Sequence, residues 1–506
     1  MGARILGLPL IVLLTALFAL AMLIPALHAV LQGDHRVARA FLYSSILGLV
    51  LVSMVVLAAG NGIARASTDI HNLGGLFLAY TVLPLFLALP FHEGLATTSW
   101  LNAYVEMVSS LTTTGATLFP ESGRLGDSLH LWRALVGWIG GLMLWVSAAA
   151  VLAPLNLGGF EITATAEPGQ SPERLDRFRR ATAPRRIGRF GAQLLPIYAG
   201  LTGLLWVLLL VVGEVPLVAL IHAMSTLATS GISPVGGPAG GGGGLAAEAL
   251  VLVFLLFSLS RLTFSSDTAT AAQTGLRTDP ELRLGLALAG AASLVLFLRH
   301  WIGAFDIDEQ GNLAAAMSAL WGALFTVLSF LSTTGFESAA WDAARDWSGL
   351  GAPGVMLMGL AMVGGGVATT AGGVKLLRVY ALYLGIRREM ERLLHPSSVG
   401  RVSQEKRRIR REGAFIAWIF FMLFALSLAV MTVLFGLLGQ SLESATVLAV
   451  AALSTTGPLT QTAPATPLDL PGMEAAAKLV FAAAMVLGRL ETLAIVALLN
   501  PAVWRD

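Results

Sequence analysis

Leu331-Ser332-Thr333-Thr334-Gly335-Phe336 is a run of hydroxyls closed by a glycine at the end of an apolar helical stretch. It returns as Leu111-Thr112-Thr113-Thr114-Gly115-Ala116, Leu227-Ala228-Thr229-Ser230-Gly231-Ile232 and Leu453-Ser454-Thr455-Thr456-Gly457-Pro458. The glycines Gly115, Gly231, Gly335 and Gly457 lie 116, 104 and 122 residues apart. A motif at a near-constant period marks an internally repeated architecture. Glycine tolerates φ > 0, so consecutive carbonyls can turn toward one axis. Four such strands around an axis give rings of carbonyl oxygen that replace the hydration shell of a cation such as K⁺. One copy alone reads more simply as a helix C-cap, where glycine is the usual residue. Four copies, each between apolar segments, favour the ion filter.

The rest of the chain fits a membrane setting. It has 506 residues, of which 56% are hydrophobic and 12% charged, and a mean hydropathy of +0.77. A soluble domain carries roughly 25% charged residues. Apolar runs near 20 residues, enough to cross ~30 Å of hydrocarbon, occur repeatedly. The expectation is an all-α polytopic membrane protein, with four tandem helix–pore-loop–helix repeats around a central pore and two additional N-terminal transmembrane helices. No cysteine is present, which excludes disulfides and thiolate chemistry. The first apolar run, about Ile5 to Val30, is too long for a signal-peptide core and reads as a retained helix.

Residues 1–66 hold the peripheral pair, with helices expected over 5–31 and 38–59. The four repeats follow at 67–175, 176–280, 281–395 and 396–506. In each, a spanning run leads to a shorter half helix, the filter stretch and a second spanning run. The first spanning run, Leu73–Leu89, is expected to stop at Pro90. Gly349–Tyr380 and Ala475–Leu499 are expected as the closing spans of the third and fourth repeats. A half helix ending inside the membrane leaves backbone groups unpaired, which is tolerated only in a protein interior or along a water-filled path. Its C-terminal end carries partial negative charge and favours a cation.

Charge sets the expected topology. Arg174, Arg177, Arg179, Arg180, Arg185, Arg186 and Arg189 lie between the first and second repeats. Arg387, Arg388, Arg392, Arg401, Lys406, Arg407, Arg408, Arg410 and Arg411 lie between the third and fourth. The positive-inside rule puts these loops, and both termini, in the cytoplasm. The opposite loops carry Glu93, Glu121, Asp306, Asp308, Glu309, Asp342 and Asp469, a mildly acidic mouth that concentrates cations. The arginines serve topology alone or also dock a cytosolic partner; the sequence leaves both readings open.

Three features depart from plain membrane helices. Gly364, Gly365, Gly366, Thr369, Thr370, Gly372, Gly373 and Lys375 crowd the middle of one spanning run. Each glycine costs ~1 kcal/mol of helix stability against alanine. Small residues also allow close helix packing, but this density favours a broken helix that lies across the pore below the filter and gates it. Arg489 and Glu491 lie within the last spanning run, where a charge faces a cavity or a partner. Arg489 is read both as a pore barrier and as half of a structural pair with an acid on a neighbouring helix. Arg378 is expected to snorkel to the interface.

Enzyme signals are poor. Neither the zinc spacing H-E-x-x-H nor the phosphate loop G-x-x-x-x-G-K-[ST] occurs, so the chain is not expected to be an enzyme or to bind a nucleotide. Its basic loops lack interleaved aromatics, which argues against nucleic acid. A cation-coupled symporter of a small solute shares broken helices and midplane glycines and is the alternative. It requires inverted repeats, whereas these four run the same way.

Several stretches together resemble the Trk/Ktr/HKT superfamily of potassium transporters, and within it the Trk-type uptake subunit of bacteria. Besides the four filters they are Trp138-Ile139-Gly140-Gly141, His222-Ala223-Met224-Ser225-Thr226, Asp279-Pro280-Glu281-Leu282-Arg283, Thr370-Ala371-Gly372-Gly373-Val374-Lys375, Leu394-His395-Pro396 and Gly488-Arg489-Leu490-Glu491. The resemblance runs from about residue 70 to the end, and the extra N-terminal helices look like the Trk branch. It implies K⁺ coordination around Thr113, Thr114, Gly115, Thr229, Ser230, Gly231, Thr333, Thr334, Gly335, Thr455, Thr456 and Gly457. It implies gating by the loop within 364–373, with Arg489 in the conduit. It implies a homodimer in the bacterial inner membrane and a cytosolic ring of RCK-type nucleotide-binding regulatory subunits (TrkA-like), with K⁺ the transported ion. In plant relatives a serine at the first filter glycine accompanies sodium selectivity; Gly115 here favours potassium. Ser230 and Glu337 depart from the family pattern.

Overall fold

The computed structural model describes residues 9–59, 69–153, 155, 157, 183–260, 279–303, 313–394 and 413–499. Arg174, Arg177, Arg179, Arg180, Arg401, Lys406 and the arginines at 407–411 lie outside the described residues, as do Asp306, Asp308, Glu309 and His395. The described structure is helical, and eight of its helices are long and apolar enough to cross a membrane.

α1 (Leu10–Ala21) and α2 (Leu23–Leu31) form one span, and α3 (His35–Ala59) returns beside it. The first repeat begins with α4 (Asp69–Thr81) and α5 (Leu83–Leu95). The helix does not stop at Pro90; that proline lies inside α5, which ends at Ala96 in the left-handed region. Proline removes one N–H, and a neighbouring helix can satisfy the carbonyls it frees. Here the Trp132 indole donates to the Leu87 carbonyl at 3.2 Å, in the turn that Pro90 disturbs.

The half helix α6 (Trp100–Leu111) then runs into the filter stretch, and α7 (Asp127–Ser147) leaves, prolonged by a π-helical turn at Ala148–Leu152. The second repeat is α8 (Ala183–Val211), α9 (Pro216–Ala228) and α10 (Gly244–Leu255). The third is α11 (Pro280–Gly303), α12 (Leu313–Leu331), a short amphipathic α13 (Trp341–Ser348), and a closing span split into α14 (Pro353–Val363) and α15 (Leu376–Leu394). The fourth is α16 (Gly413–Leu437), α17 (Leu442–Leu453), one turn α18 (Leu459–Thr462), and a closing span split into α19 (Ala475–Leu490) and α20 (Thr492–Leu499). Gly349–Tyr380 and Ala475–Leu499 are therefore not continuous helices. The second breaks at Glu491, whose φ is +66°.

Packing closes the repeats into a ring. The closing helix of each repeat packs on the half helix of the next: α7 on α9, α10 on α12, α14 on α17, and α19 on α6. Burial follows the same plan. In the most apolar window, 83% of the 127–152 span is buried, against 50% of the 72–95 span that opens the same repeat and 17% of the 413–437 span that opens the fourth, so the closing helix of the first repeat lies inside and these opening helices lie farther out. Gly140 and Gly488 permit close approach of a closing helix to the end of a half helix. A Cβ at Gly140 would sit 2.2 Å from the Leu111 carbonyl, and one at Gly488 would sit 2.5 Å from that of Leu453. Leu111 and Leu453 are the last helical residues before their filter stretches.

Candidate functional site

All four half helices end in one backbone motif. Thr113, Thr229, Thr333 and Thr455 have φ of +53°, +49°, +60° and +53°. Their amides bond three residues back, to the carbonyls of Ser110, Thr226, Phe330 and Ala452. The next amides, of Thr114, Ser230, Thr334 and Thr456, bond five residues back, to Ser109, Ser225, Ser329 and Ala451. This double closure is the Schellman cap, which normally has glycine in the left-handed position. Here the left-handed residue is a β-branched threonine, an outlier that surrounding structure must enforce. The motif glycine is thus not the helix cap. It comes two residues later, where Gly115, Gly231 and Gly335 turn left-handed a second time, at +73°, +64° and +81°.

The four strands touch in chain order. A Cβ at Gly115 would lie 1.8 Å from the Ser230 carbonyl oxygen, and one at Gly231 would lie 2.2 Å from that of Thr334. One at Gly335 would meet Pro458 at 2.8 Å, and one at Gly457 would meet the Ala116 amide at 2.0 Å. The Gly457 amide donates to the Thr114 carbonyl at 2.6 Å, joining the fourth strand to the first. Thr113, Thr114, Thr229, Ser230, Thr333, Thr334, Thr455 and Thr456 are all buried.

Their hydroxyls divide into two sets. Thr114, Thr334 and Thr456 bond the hydroxyl two residues earlier, at Thr112 (2.8 Å), Ser332 (3.1 Å) and Ser454 (3.2 Å). The second repeat has Ala228 at that earlier position, and Ser230 bonds Ser225 at 3.0 Å instead. Its departure from the pattern is thus compensated locally. Of the left-handed threonines, Thr113 and Thr455 have buried Oγ1 atoms with no hydrogen-bond partner. A buried orphan hydroxyl costs ~1–3 kcal/mol, and a passing cation is one way to satisfy it.

The glycine-rich segment is not helical from Gly364 to Lys375, and it lies directly under these caps. The Gly372 amide donates to Thr333 Oγ1 at 2.8 Å. A Cβ at Gly372 would come within 2.2 Å of both the Ser454 carbonyl and Thr455 Oγ1. Thr370 Oγ1 donates to the Leu227 carbonyl at 3.0 Å, and Arg489 Nη1 donates to the Thr370 carbonyl at 2.8 Å. Thr369 bonds the Gly366 carbonyl within the loop, and the Lys375 ammonium bonds that of Ala371. Gly364 and Gly373 adopt φ of +74° and +76° and close the loop's two ends against each other. Farther out, the Gly366 amide donates to the Ser258 carbonyl and the Val367 amide to the Glu281 carboxylate, each at 2.9 Å.

Two expectations about charge are corrected. Arg378 does not snorkel: it is fully buried, 2.7 Å from the Glu491 carboxylate and stacked 3.4 Å from the Phe420 ring centroid. The ring and carboxylate together compensate its desolvation. Among the described residues Arg489 pairs with no acid; Glu491 belongs to Arg378, and Arg489 turns to the loop carbonyl.

On the other side of the ring, Glu337 follows the third filter and accepts a hydrogen bond from the Thr462 hydroxyl. Burial pushes its carboxyl upward, and nearby Asp342 adds to the shift; the Thr462 hydrogen bond and Arg345 oppose it. The charge is present only above this raised value and is lost as pH falls through it. We therefore expect the apparent affinity for the permeant cation to weaken about two- to threefold, the size of one screened charge, at a higher pH than an ordinary carboxylate would give. Glu337→Gln should remove that pH step from the uptake curve.

Sequence reading missed the buried acids Glu106 and Glu248 beside the ring. Glu106 meets Arg133 at 2.6 Å. Glu248 accepts from the Ser338 hydroxyl, the Ala339 amide and the Trp321 indole at 2.6–2.7 Å. Glu281, quoted above within the stretch 279–283, accepts from the Val367 amide of the loop. The available signal was the acid's position within an apolar run, where charge is expensive.

Comparison with known proteins agrees with this architecture. The family model described as TrkH, cation transport protein, matches residues 251–503. A Trk system potassium uptake protein TrkH from Halomonas elongata is 30% identical, covering 99% of this chain and 98% of its own. The protein of the same name from Escherichia coli K12 is 28% identical, covering 98% of both. The crystal structure of the potassium transporter TrkH from Vibrio parahaemolyticus superposes with a TM-score of 0.81 at 26% identity, covering both chains fully. A four-repeat ring of half helices, a family model spanning half the sequence and a relative matched end to end agree: the chain belongs to the TrkH family of cation transport proteins.

Proposed function

We propose that this chain is the ion-conducting subunit of a bacterial potassium uptake system in the inner membrane. The observation that carries the reading is the closed ring of four left-handed threonine caps, each followed by its glycine, at the converging C-termini of four half helices. Partially negative helix ends and convergent oxygens favour a dehydrated monovalent cation. Thr113, Thr114, Gly115, Thr229, Ser230, Gly231, Thr333, Thr334, Gly335, Thr455, Thr456 and Gly457 form the K⁺ site. Residues 364–375 are the gate beneath it, and Arg489 both anchors that gate and places a positive charge in the conduit. The pore repeats divide at 67–175, 176–280, 281–395 and 396–506, after the helical pair in 1–66.

In this reading the basic loops and both termini are cytoplasmic, the chain forms a homodimer, and a nucleotide-binding cytosolic ring regulates it. The membrane potential supplies ~2.3 kcal/mol per charge per 100 mV, which drives accumulation without ATP hydrolysis by this chain.

The test is tracer Rb⁺ uptake into proteoliposomes holding a K⁺ diffusion potential, competed with K⁺ and Na⁺. K⁺ should compete far better than Na⁺. Gly335→Ser, which pushes a side chain against Pro458, should narrow that gap. Equal flux and equal competition in Gly335→Ser and wild type would falsify the filter assignment.

A further inference from the structure

In three of the four repeats the strand leaving the filter is fastened by a residue at one fixed place on the half helix. Glu106, His222, Thr326 and Leu448 each stand nine residues before their filter glycine. In the first repeat, Glu106 Oε2 accepts from the Leu118 amide at 2.8 Å. In the third, Thr326 Oγ1 accepts from the Ser338 amide at 3.2 Å. In the second, His222 Nε2 meets Ser233 Oγ at 2.9 Å. Leu118 and Ser338 lie three residues beyond their glycines, and Ser233 two. The fourth repeat has buried Leu448 and makes its own turn instead, with Thr460 Oγ1 donating to the Gly457 carbonyl at 2.8 Å.

Behind each polar fastener stands a second group. Arg133 of α7 meets Glu106 at 2.6 Å. Glu214 meets His222 Nδ1 at 3.1 Å, and the Phe336 ring packs edge-on against the imidazole, with ring centroids 5.8 Å apart. Glu248 of α10 takes the Ser338 hydroxyl and the Ala339 amide beside Thr326. Glu106, Arg133, His222, Glu214, Thr326 and Glu248 are all at most 4% exposed. A buried network of ion pairs and hydrogen bonds is rigid, and its rigidity passes to the backbone it holds.

We infer that Glu106, His222 and Thr326 are specificity-determining positioning residues. They touch no ion. They fix the exit strand of three filters, and so hold the oxygen ring at a width that suits a larger cation over a smaller one. The inference rests on the filter reading above. It also makes the fourth repeat, which lacks the fastener, the more compliant side of the ring.

The test uses the full chain in proteoliposomes and reads the ratio of K⁺ to Na⁺ competition against Rb⁺ uptake. Thr326→Val removes the acceptor at nearly constant volume and should lower that ratio about three- to tenfold, the size of one lost hydrogen bond. Thr326→Ser, which keeps the oxygen, should restore it. Glu106→Leu, which removes the acceptor, should lower the ratio similarly, and Leu448→Met should leave it unchanged. If Glu106→Leu does not fold, Thr326→Val decides. A Thr326→Val protein with lower melting temperature and flux but an unaltered ratio would overturn the inference, since its role would then be structural only. Gly335→Ser separates the two levels: if it moves the ratio while Thr326→Val does not, only the positioning claim fails. If neither moves it, the filter reading fails with it.

Discussion

Gly115→Ala should abolish potassium uptake, lowering tracer Rb⁺ flux about a hundredfold or more, while the protein still inserts and remains helical. Two costs coincide at this residue. Its φ is +73°, where an alanine costs roughly 1–2 kcal/mol. The added Cβ would sit 1.8 Å from the Ser230 carbonyl oxygen, a backbone atom that cannot move without shifting the second filter strand. Misplacing a positioned group by about 1 Å can cost a hundredfold in rate. Gly33→Ala isolates the two costs. Gly33 has φ of +76° but nothing within 4 Å of its would-be Cβ, so that variant pays the conformational term alone and should transport like wild type. A Gly115→Ala protein with normal uptake and a normal K⁺ over Na⁺ preference would show that the ring of strands is not the conducting path.

The four-fold plan was legible because hydroxyl–hydroxyl–glycine returned at a near-constant period between apolar runs. The break at Gly364–Lys375 was legible for a related reason: so many glycines cannot hold a regular helix. What the sequence hid was decided by contacts between distant segments. Pro90 reads locally as a stop, yet the helix passes through it, with Trp132 bonded to a nearby carbonyl. Arg378 reads as a snorkelling end residue, because neither Glu491 nor Phe420 is near it in sequence. Glu491 breaks the last helix by a left-handed turn that no proline or glycine announces at that position. The filter caps hold the subtler lesson. Glycine is the expected left-handed residue, but the structure gives that place to threonine and uses the glycine two residues on. Burial and the double amide closure hold the threonine there, and neither can be seen from composition.

Arg489→Gln should raise basal Rb⁺ flux, measured with no cytosolic partner present, by about 10- to 100-fold. The segment proposed as the gate is attached to the filter caps through Gly372 and Thr370, and to α19 through Arg489, which is 3% exposed and donates to the Thr370 carbonyl. A hydrogen bond to a charged group is worth ~1.5–3 kcal/mol, which sets the shift expected between closed and open populations. Removing the charge also lowers the electrostatic barrier to a cation leaving the filter, so both effects act in the same direction. Arg489→Lys keeps the charge without the guanidinium's fixed geometry and should fall between the two. The K⁺ over Na⁺ ratio should not change in either variant, because the threonine caps and their glycines keep their own bonds. A rise in flux with constant selectivity separates the gate from the filter. A fall in flux would mean that Arg489 supports the open path, and that residues 364–375 do not close it.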